Sequence, residues 1–208
     1  MRKSAIILAG GLSKRLGQDK GLITLAGKPL LVHVLDKICS VVEEIIVVVS
    51  SESQKRTFKD LVKEKAKVIV DRDNAQGPLV GALTGFENVQ GEHSLLLPCD
   101  VPFVSSQIAS LLLDLCINRS AAIPRWPNGF IEPLQAAYHT KSAQIAAEKA
   151  LENGKMDLQS MIALLRGVRY ISTIVLEQID PELLTFFNVN TISDLKKAKS
   201  IMESRLKT

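Results

Sequence analysis

The chain has 208 residues, of which 46% are hydrophobic and 23% charged, with a net charge of +4. That balance excludes a disordered chain and provides for one substantial hydrophobic core. No apolar run is long enough to span a bilayer, and no Lys/Arg-rich tract with interleaved aromatics marks a nucleic-acid surface.

Aromatics are only 4% of residues, so the core is expected to be aliphatic. Met1-Arg2-Lys3 precedes an apolar stretch at 5–9, but that stretch is too short for a secretory signal core. A cytoplasmic protein with no membrane and no nucleic-acid partner is expected. Cys39, Cys99 and Cys116 are widely separated and form no CxxC pair, which argues against structural zinc and a disulfide framework. His33, His93 and His139 are equally scattered.

Continuous apolar, β-branched runs predict strands at 5–8, 45–49, 67–70, 94–97, 121–123, 134–138 and 170–175. The early runs do not alternate with polar residues, which suits a parallel sheet buried on both faces. Between them lie helix patterns. Pro29 suits a first helical position, and Leu30, Leu31, Val34, Leu35 and Ile38 then recur at helical spacing. Helices follow at 53–65, 79–88, 105–118 and 141–152. The last helix opens on a capping box of Thr191 and Asp194, with Leu195, Ala198 and Ile201 as its apolar stripe. There is no repeat, low-complexity tract or linker, so residues 1–208 read as a single domain. The strand–helix alternation predicts an α/β fold, doubly wound around a mostly parallel, Rossmann-like sheet. Such sheets carry ligands at the carboxyl ends of their strands.

Directly after the first strand comes Leu8-Ala9-Gly10-Gly11-Leu12-Ser13-Lys14-Arg15-Leu16-Gly17-Gln18-Asp19-Lys20. It is neither a P-loop nor a dinucleotide fingerprint, since it lacks GxxxxGK[ST] and GxGxxG. Gly10 and Gly11 allow a tight turn whose successive amides can cradle phosphate oxygens. Arg15 and Lys20 supply charge to neutralise a triphosphate, Arg15 with bidentate geometry. A second motif, Leu95-Leu96-Leu97-Pro98-Cys99-Asp100-Val101-Pro102, delivers the Asp100 carboxylate from a strand onto an open edge. There it suits Mg²⁺, which takes one or two carboxylates together with phosphate oxygens and water.

The glycine segment, with Asp19-Lys20-Gly21 and Gly27-Lys28-Pro29-Leu30 behind it, resembles the molybdenum cofactor guanylyltransferases of MobA type. These are nucleotidyltransferases of the nucleotide-diphospho-sugar transferase fold type. The resemblance implies a Mg²⁺-dependent transfer of GMP from GTP to the phosphate of molybdopterin, or of its molybdenum-bound form, with loss of pyrophosphate. It also implies transient contact with other molybdenum-cofactor proteins. Arg15, Lys20 and Asp100 would be the catalytic residues. Leu8, Ala9, Gly10, Gly11, Lys20, Ser50, Asp71, Gly77 and Asp100 would bind nucleotide. Asp100 resembles the metal ligand of the family's Asp-x-Pro motif, and Asn188 or Asn190, in a stretch like the family's Asn-x-Asn-Thr, could complete the metal shell.

Asp71 with Gln76-Gly77-Pro78-Leu79 resembles the family's base and ribose pocket. Glu132-Pro133-Leu134-Gln135-Ala136-Ala137-Tyr138 is similar to a strand near the acceptor, and Arg125 and Trp126 precede it. The sister cytidylyltransferases carry Leu-Ala-Ala-Gly where this chain has Leu-Ala-Gly-Gly, which leans the reading to GTP. The chain departs from the pattern at Ser50-Ser51, where many members have Asn, and its glycine loop is about one residue shorter. A CTP:molybdopterin cytidylyltransferase or an adenosylcobinamide-phosphate guanylyltransferase remains the alternative. Residues 141–182 carry no readable motif.

Overall fold

The computed structural model describes residues 2–10, 12–13 (backbone only), 18–71 and 77–205. Its centre is a seven-stranded sheet. The strands are β1 (Lys3–Leu8), β2 (Glu44–Val49), β3 (Lys67–Val70), β4 (His93–Pro98), β5 (Ala121–Arg125), β6 (Ala136–His139) and β7 (Val168–Ser172). Their spatial order is β7-β5-β6-β4-β1-β2-β3. β1 pairs in parallel with both β2 and β4, β2 with β3, and β5 with β7. Only β6 runs against its neighbours, β4 and β5. Ile6 lies opposite Ile46 on one side and Leu96 on the other, all three fully buried. Continuous apolar sequence is what a strand covered on both faces requires.

One face carries the helices α1 (Leu30–Ile38), α2 (Glu52–Val62) and α4 (Ser106–Leu115); the other carries α3 (Pro78–Asn88), α5 (Thr140–Glu152) and α6 (Leu158–Leu164). Ile7, Leu35, Phe58 and Leu112 belong to the first core, whereas Ile6, Phe86, Tyr138 and Met161 belong to the second. A third, smaller cluster joins Ile23, Leu25 and Leu30 to Phe103, Val189 and Ala198. It fastens the C-terminal helix to the two-residue ribbon of Thr24–Leu25 against Lys28–Pro29. A second short ribbon pairs Leu12–Ser13 with Gln18–Asp19. No helix among the described residues is long and apolar enough to cross a membrane.

Side-chain caps set several helix starts. Ser51, Ser105 and Asp157 each accept a backbone N–H at the third residue of the helix they open. Thr191 and Asp194 form the expected capping box before the last helix (Ile192–Arg205). Several boundaries differ from the sequence reading, among them the ends of α2 and α4, each three residues earlier than expected. Strand β7 ends at Ser172, whose hydroxyl accepts from the Ile174 N–H and starts a one-turn helix α7 (Thr173–Leu176). A cap here outweighs the β-propensity of Ile174 and Val175. Residues 134–135 form a turn, so β6 begins at Ala136. Pro29 pairs with Thr24 and stands just before α1 instead of inside it. The stretch 141–182, which offered no motif, holds α6 and α7 beyond the expected helix and strand.

Helix α3 reaches the sheet through Gly85. A Cβ there would overlap Ile6 Cγ2 and lie 3.1 Å from both Ile6 Cδ1 and Cγ1. Alanine would gain about 1 kcal/mol in helix propensity. Forcing a methyl into packed space costs roughly 1–3 kcal/mol, and the upper part of that range, about 2–3 kcal/mol, applies where the overlapped Ile6 is fully buried in the central strand. Gly85→Ala is therefore expected to lower stability by about 1–2 kcal/mol, as read from the urea unfolding midpoint; an unchanged or higher midpoint would contradict this packing.

Candidate active site

β1, β2 and β4 end together at one edge of the sheet. The Ala9 N–H donates to the Val48 carbonyl at 2.8 Å, and the Cys99 N–H donates to the Leu8 carbonyl at 3.1 Å. Leu8, Ala9 and Gly10 are thereby held between the ends of β2 and β4. The Ser50 hydroxyl donates to the Gly10 carbonyl, and a Cβ on Gly10 would overlap that hydroxyl. Gly11, Arg15 and Gln76 lie outside the described residues.

Asp100 follows β4 and is only 4% exposed. Its Oδ2 accepts from Lys20 Nζ at 2.8 Å, while its Oδ1 is buried with no hydrogen-bond partner among the described residues. The Lys20 ammonium also donates to Asn190 Oδ1. The Val189 N–H donates to the Asp100 carbonyl at 2.9 Å, drawing the C-terminal segment against the motif. Three sequence-distant elements thus meet at one carboxylate. The cap before the last helix belongs to the same assembly: Asp194 Oδ2 accepts from Asn190 N at 3.1 Å and Thr191 N at 2.8 Å. The Thr191 hydroxyl, then these backbone donors, hold the Asp194 carboxyl below its usual range.

Asn188 stands two residues from Asn190, its Nδ2 donating to the Phe186 carbonyl at 3.1 Å. It borders a cleft of about 370 Å³ together with Pro98, Pro78, Gln135 and Leu158. Asp157 and Gln159 also border this cleft, from a stretch in which no sequence motif pointed to them. On the other side, the Asp71 N–H donates to the Val49 carbonyl at 2.8 Å, and Asp71 Oδ1 accepts from the Thr84 hydroxyl at 2.6 Å. The Asp71 carboxylate is therefore fixed against α3, where a Cβ on Gly81 would lie 3.5 Å from its Oδ2. Gly77 faces the Met156 carbonyl, 3.1 Å from where its Cβ would stand.

Among the expected residues, Lys20, Asp100 and Asn190 are in direct contact. Leu8, Ala9, Gly10 and Ser50 form an adjoining group, while Asp71 follows β3 with its carboxylate on Thr84 of α3, and Gly77 stands at the start of that helix. Arg125 stacks over Tyr170, and Trp126 Nε1 donates to Glu132 Oε1 at 2.7 Å while packing edge-on against Phe186. That geometry tethers the 125–132 loop. Nothing in the sequence pointed to Gln54, whose amide accepts from Ser50 N at 2.8 Å and donates to Asp19 Oδ1 at 2.6 Å.

A mostly parallel sheet with a glycine turn after its first strand and a Lys-paired aspartate after its fourth defines a nucleoside triphosphate transferase. Residues 5–171 match the MobA-like NTP transferase domain, and the chain belongs to that family. It is 35% identical over 199 residues to a Methanosarcina mazei protein named "Probable molybdenum cofactor guanylyltransferase", covering 93% of this chain and 88% of the relative. A Pyrococcus horikoshii protein of the same name is 32% identical, covering 94% of this chain and 98% of the relative. The solved structure of molybdopterin-guanine dinucleotide biosynthesis protein A from Archaeoglobus fulgidus superposes with a TM-score of 0.83 at 28% identity, covering 97% of this chain and 99% of that one. The 4-diphosphocytidyl-2C-methyl-D-erythritol synthase of Anaerococcus prevotii, at 16% identity and a TM-score of 0.74, shares the fold.

Cys99 adjoins Asp100 but is unsuited to nucleophilic chemistry. Burial pushes its thiol far above the ordinary range, and the neighbouring Asp100 charge adds to the effect. Burial likewise pushes Cys116 up to about 12. Only Cys39 is exposed. Iodoacetamide at mildly alkaline pH is therefore expected to alkylate Cys39 and spare Cys99 and Cys116, as mapped by peptide mass spectrometry; rapid modification of Cys99 in the folded protein would refute this.

Proposed function

We propose that this protein is a Mg²⁺-dependent guanylyltransferase that moves GMP from GTP to the terminal phosphate of molybdopterin or its molybdenum-bound form. The single observation that carries the chemistry is Asp100: a buried carboxylate with one oxygen on Lys20 and the other without a described partner. The identity of base and acceptor draws on the names of relatives with which the chain shares about a third of its residues over nearly its whole length.

The residues present fit the proposed cation. Among the described residues no cluster of three or more His, Cys, Asp or Glu could hold a metal by itself. Mg²⁺ does not need such a cage, because it is held by one or two carboxylates with substrate phosphates and water. Asp100 Oδ1 offers the carboxylate, and Asn188 or Asn190, either side of the Val189 that bonds the Asp100 carbonyl, would add an amide oxygen. Once bound, the cation would polarise the α-phosphate and offset charge on departing pyrophosphate.

The chain's own residues do the rest. The Gly10 amide, together with Gly11 and Arg15, is assigned to the phosphates, with Leu8 and Ala9 fixing where that segment leaves the sheet. Lys20 enters already oriented, because Asp100 and Asn190 fix its ammonium, so little reorganisation accompanies reaction. Asp71 and Gly77 are assigned to the nucleoside end, with Ser50 beside the glycine turn. The cleft beside Asn188 is assigned to the acceptor. An acceptor phosphate is ionised at neutral pH, so it needs no protein nucleophile. Its oxygen forms a bond to the α-phosphorus as the α–β bridging bond breaks, and pyrophosphate leaves with that electron pair. Positioning and charge neutralisation supply the rate enhancement.

Incubation with GTP, Mg²⁺ and molybdopterin is expected to release pyrophosphate and give a guanine dinucleotide product identifiable by mass. Release from CTP instead, or only with a cobinamide phosphate acceptor, would replace the assignment by its sister activities. Asp100→Ala is expected to lower turnover by at least about 100-fold, on the scale of losing one preorganised electrostatic contact, with its thermal midpoint retained. Chelation with EDTA is expected to stop turnover and added Mg²⁺ to restore it. Near-normal turnover by the folded Asp100→Ala protein would remove this mechanism.

A further inference from the structure

We infer that Gln54 is the positioning residue that clasps the two ends of the glycine loop and so sets Lys20 for the nucleotide; this rests on the nucleotide-transfer reading above. The loop leaves β1 at Gly10 and returns at Asp19, one residue before Lys20. Both ends are tied to the same place, the junction between β2 and α2. At the outgoing end, the Ser50 hydroxyl donates to the Gly10 carbonyl. At the returning end, Gln54 Nε2 donates to Asp19 Oδ1 at 2.6 Å. The same amide's Oε1 accepts from the Ser50 backbone N–H at 2.8 Å, which joins the two ties into one chain of bonds.

Gln54 is itself held in register. Its backbone N–H donates to the Ser51 hydroxyl that caps α2, so the side chain leaves a fixed point in the first helical turn. Below it, Phe58 of the same helix is fully buried and lies 2.7 Å from where a Cβ on Gly21 would stand. Helix α2 therefore bears on the residues either side of Lys20, by a hydrogen bond at Asp19 and by packing at Gly21. Lys20 lies between these two anchors, with its ammonium on Asp100 and Asn190. An amide is the side chain this place requires, since it must accept from an N–H and donate to a carboxylate at once. The bond to Asp19 is charge-assisted and so stronger than a neutral one.

The test compares Gln54→Leu, Gln54→Glu, Asp19→Asn and a double variant that combines Gln54→Glu with Asp19→Asn. Binding of a fluorescent GTP analogue, steady-state constants and thermal midpoints are measured for each. Gln54→Leu is expected to weaken nucleotide binding and to lower kcat/KM for GTP about 10-fold, with KM for the acceptor within about 2-fold; losing a hydrogen bond to a charged group has this scale. Gln54→Glu sets two carboxylates against each other and is expected to lose more. The double variant exchanges the two roles: the amide introduced at position 19 donates to the carboxylate introduced at position 54, which still accepts from the Ser50 N–H. Binding is then expected to recover to within about 3-fold of the starting protein. Unchanged nucleotide affinity in a folded Gln54→Leu protein overturns the inference, as does a double variant no better than Gln54→Glu. Wild-type protein that binds the GTP analogue but transfers no nucleotide would instead overturn the function, leaving the clasp to be judged on binding alone.

Discussion

The site is organised by the cost of burying one charge. Taking a carboxylate out of water costs several kcal/mol unless it is answered by opposite charge and hydrogen bonds, and Asp100 is only 4% exposed. Lys20 answers one oxygen from 80 residues upstream and in turn reaches Asn190, 170 residues further along the chain. Under the proposed function, the other oxygen is the one that takes the cation. Much of the architecture follows from this requirement. β4 must deliver the aspartate at the same sheet edge where β1 turns, and the C-terminal segment must fold back across both.

The sheet was legible because strands buried on both faces leave no polar positions, as in 45–49 and 95–97, and the helix starts were legible where hydroxyl or carboxylate caps announced them. Legibility failed where one local signal masked another. At 172–176 a serine cap starts a helix inside a run that reads as strand. Short helix α6 offers too few turns to reveal a period. In the site, Asp100 and the glycine segment were readable because each follows a strand carboxyl end in a parallel sheet, and Lys20 because it closes that segment. Gln54 was not, since one polar residue on a polar helix face is indistinguishable from any solvated neighbour until Asp19 and Ser50 are placed beside it. Asn190 has two attachments: its backbone on the cap and its side chain on Lys20.

The fold alone does not set the chemistry. A solved structure named for a cytidyl transfer superposes with a TM-score of 0.74 while sharing only 16% of residues. The common element is the sheet and its open edge; what sets one chemistry apart from another must lie in the side chains around base and acceptor. Under the proposed function, Ser50-Ser51 after β2 and the cleft bounded by Asn188, Gln135 and Leu158 would be such surroundings here.

The fastening of the last helix onto the Thr24–Leu25 ribbon carries a consequence for how the protein is made. The residues that meet around Asp100 lie as far apart as Lys20 and Asn190, so a nascent chain that has not yet reached Asn190 lacks one of them. Contacts of such long sequence separation close late and slowly, since the loop entropy must be met before they form. A growing chain would already hold its central sheet while lacking Asn190. Such an intermediate would pair Lys20 with Asp100 but leave the ammonium without its second anchor, so under the proposed function the site is completed only when the segment carrying Asn190 docks.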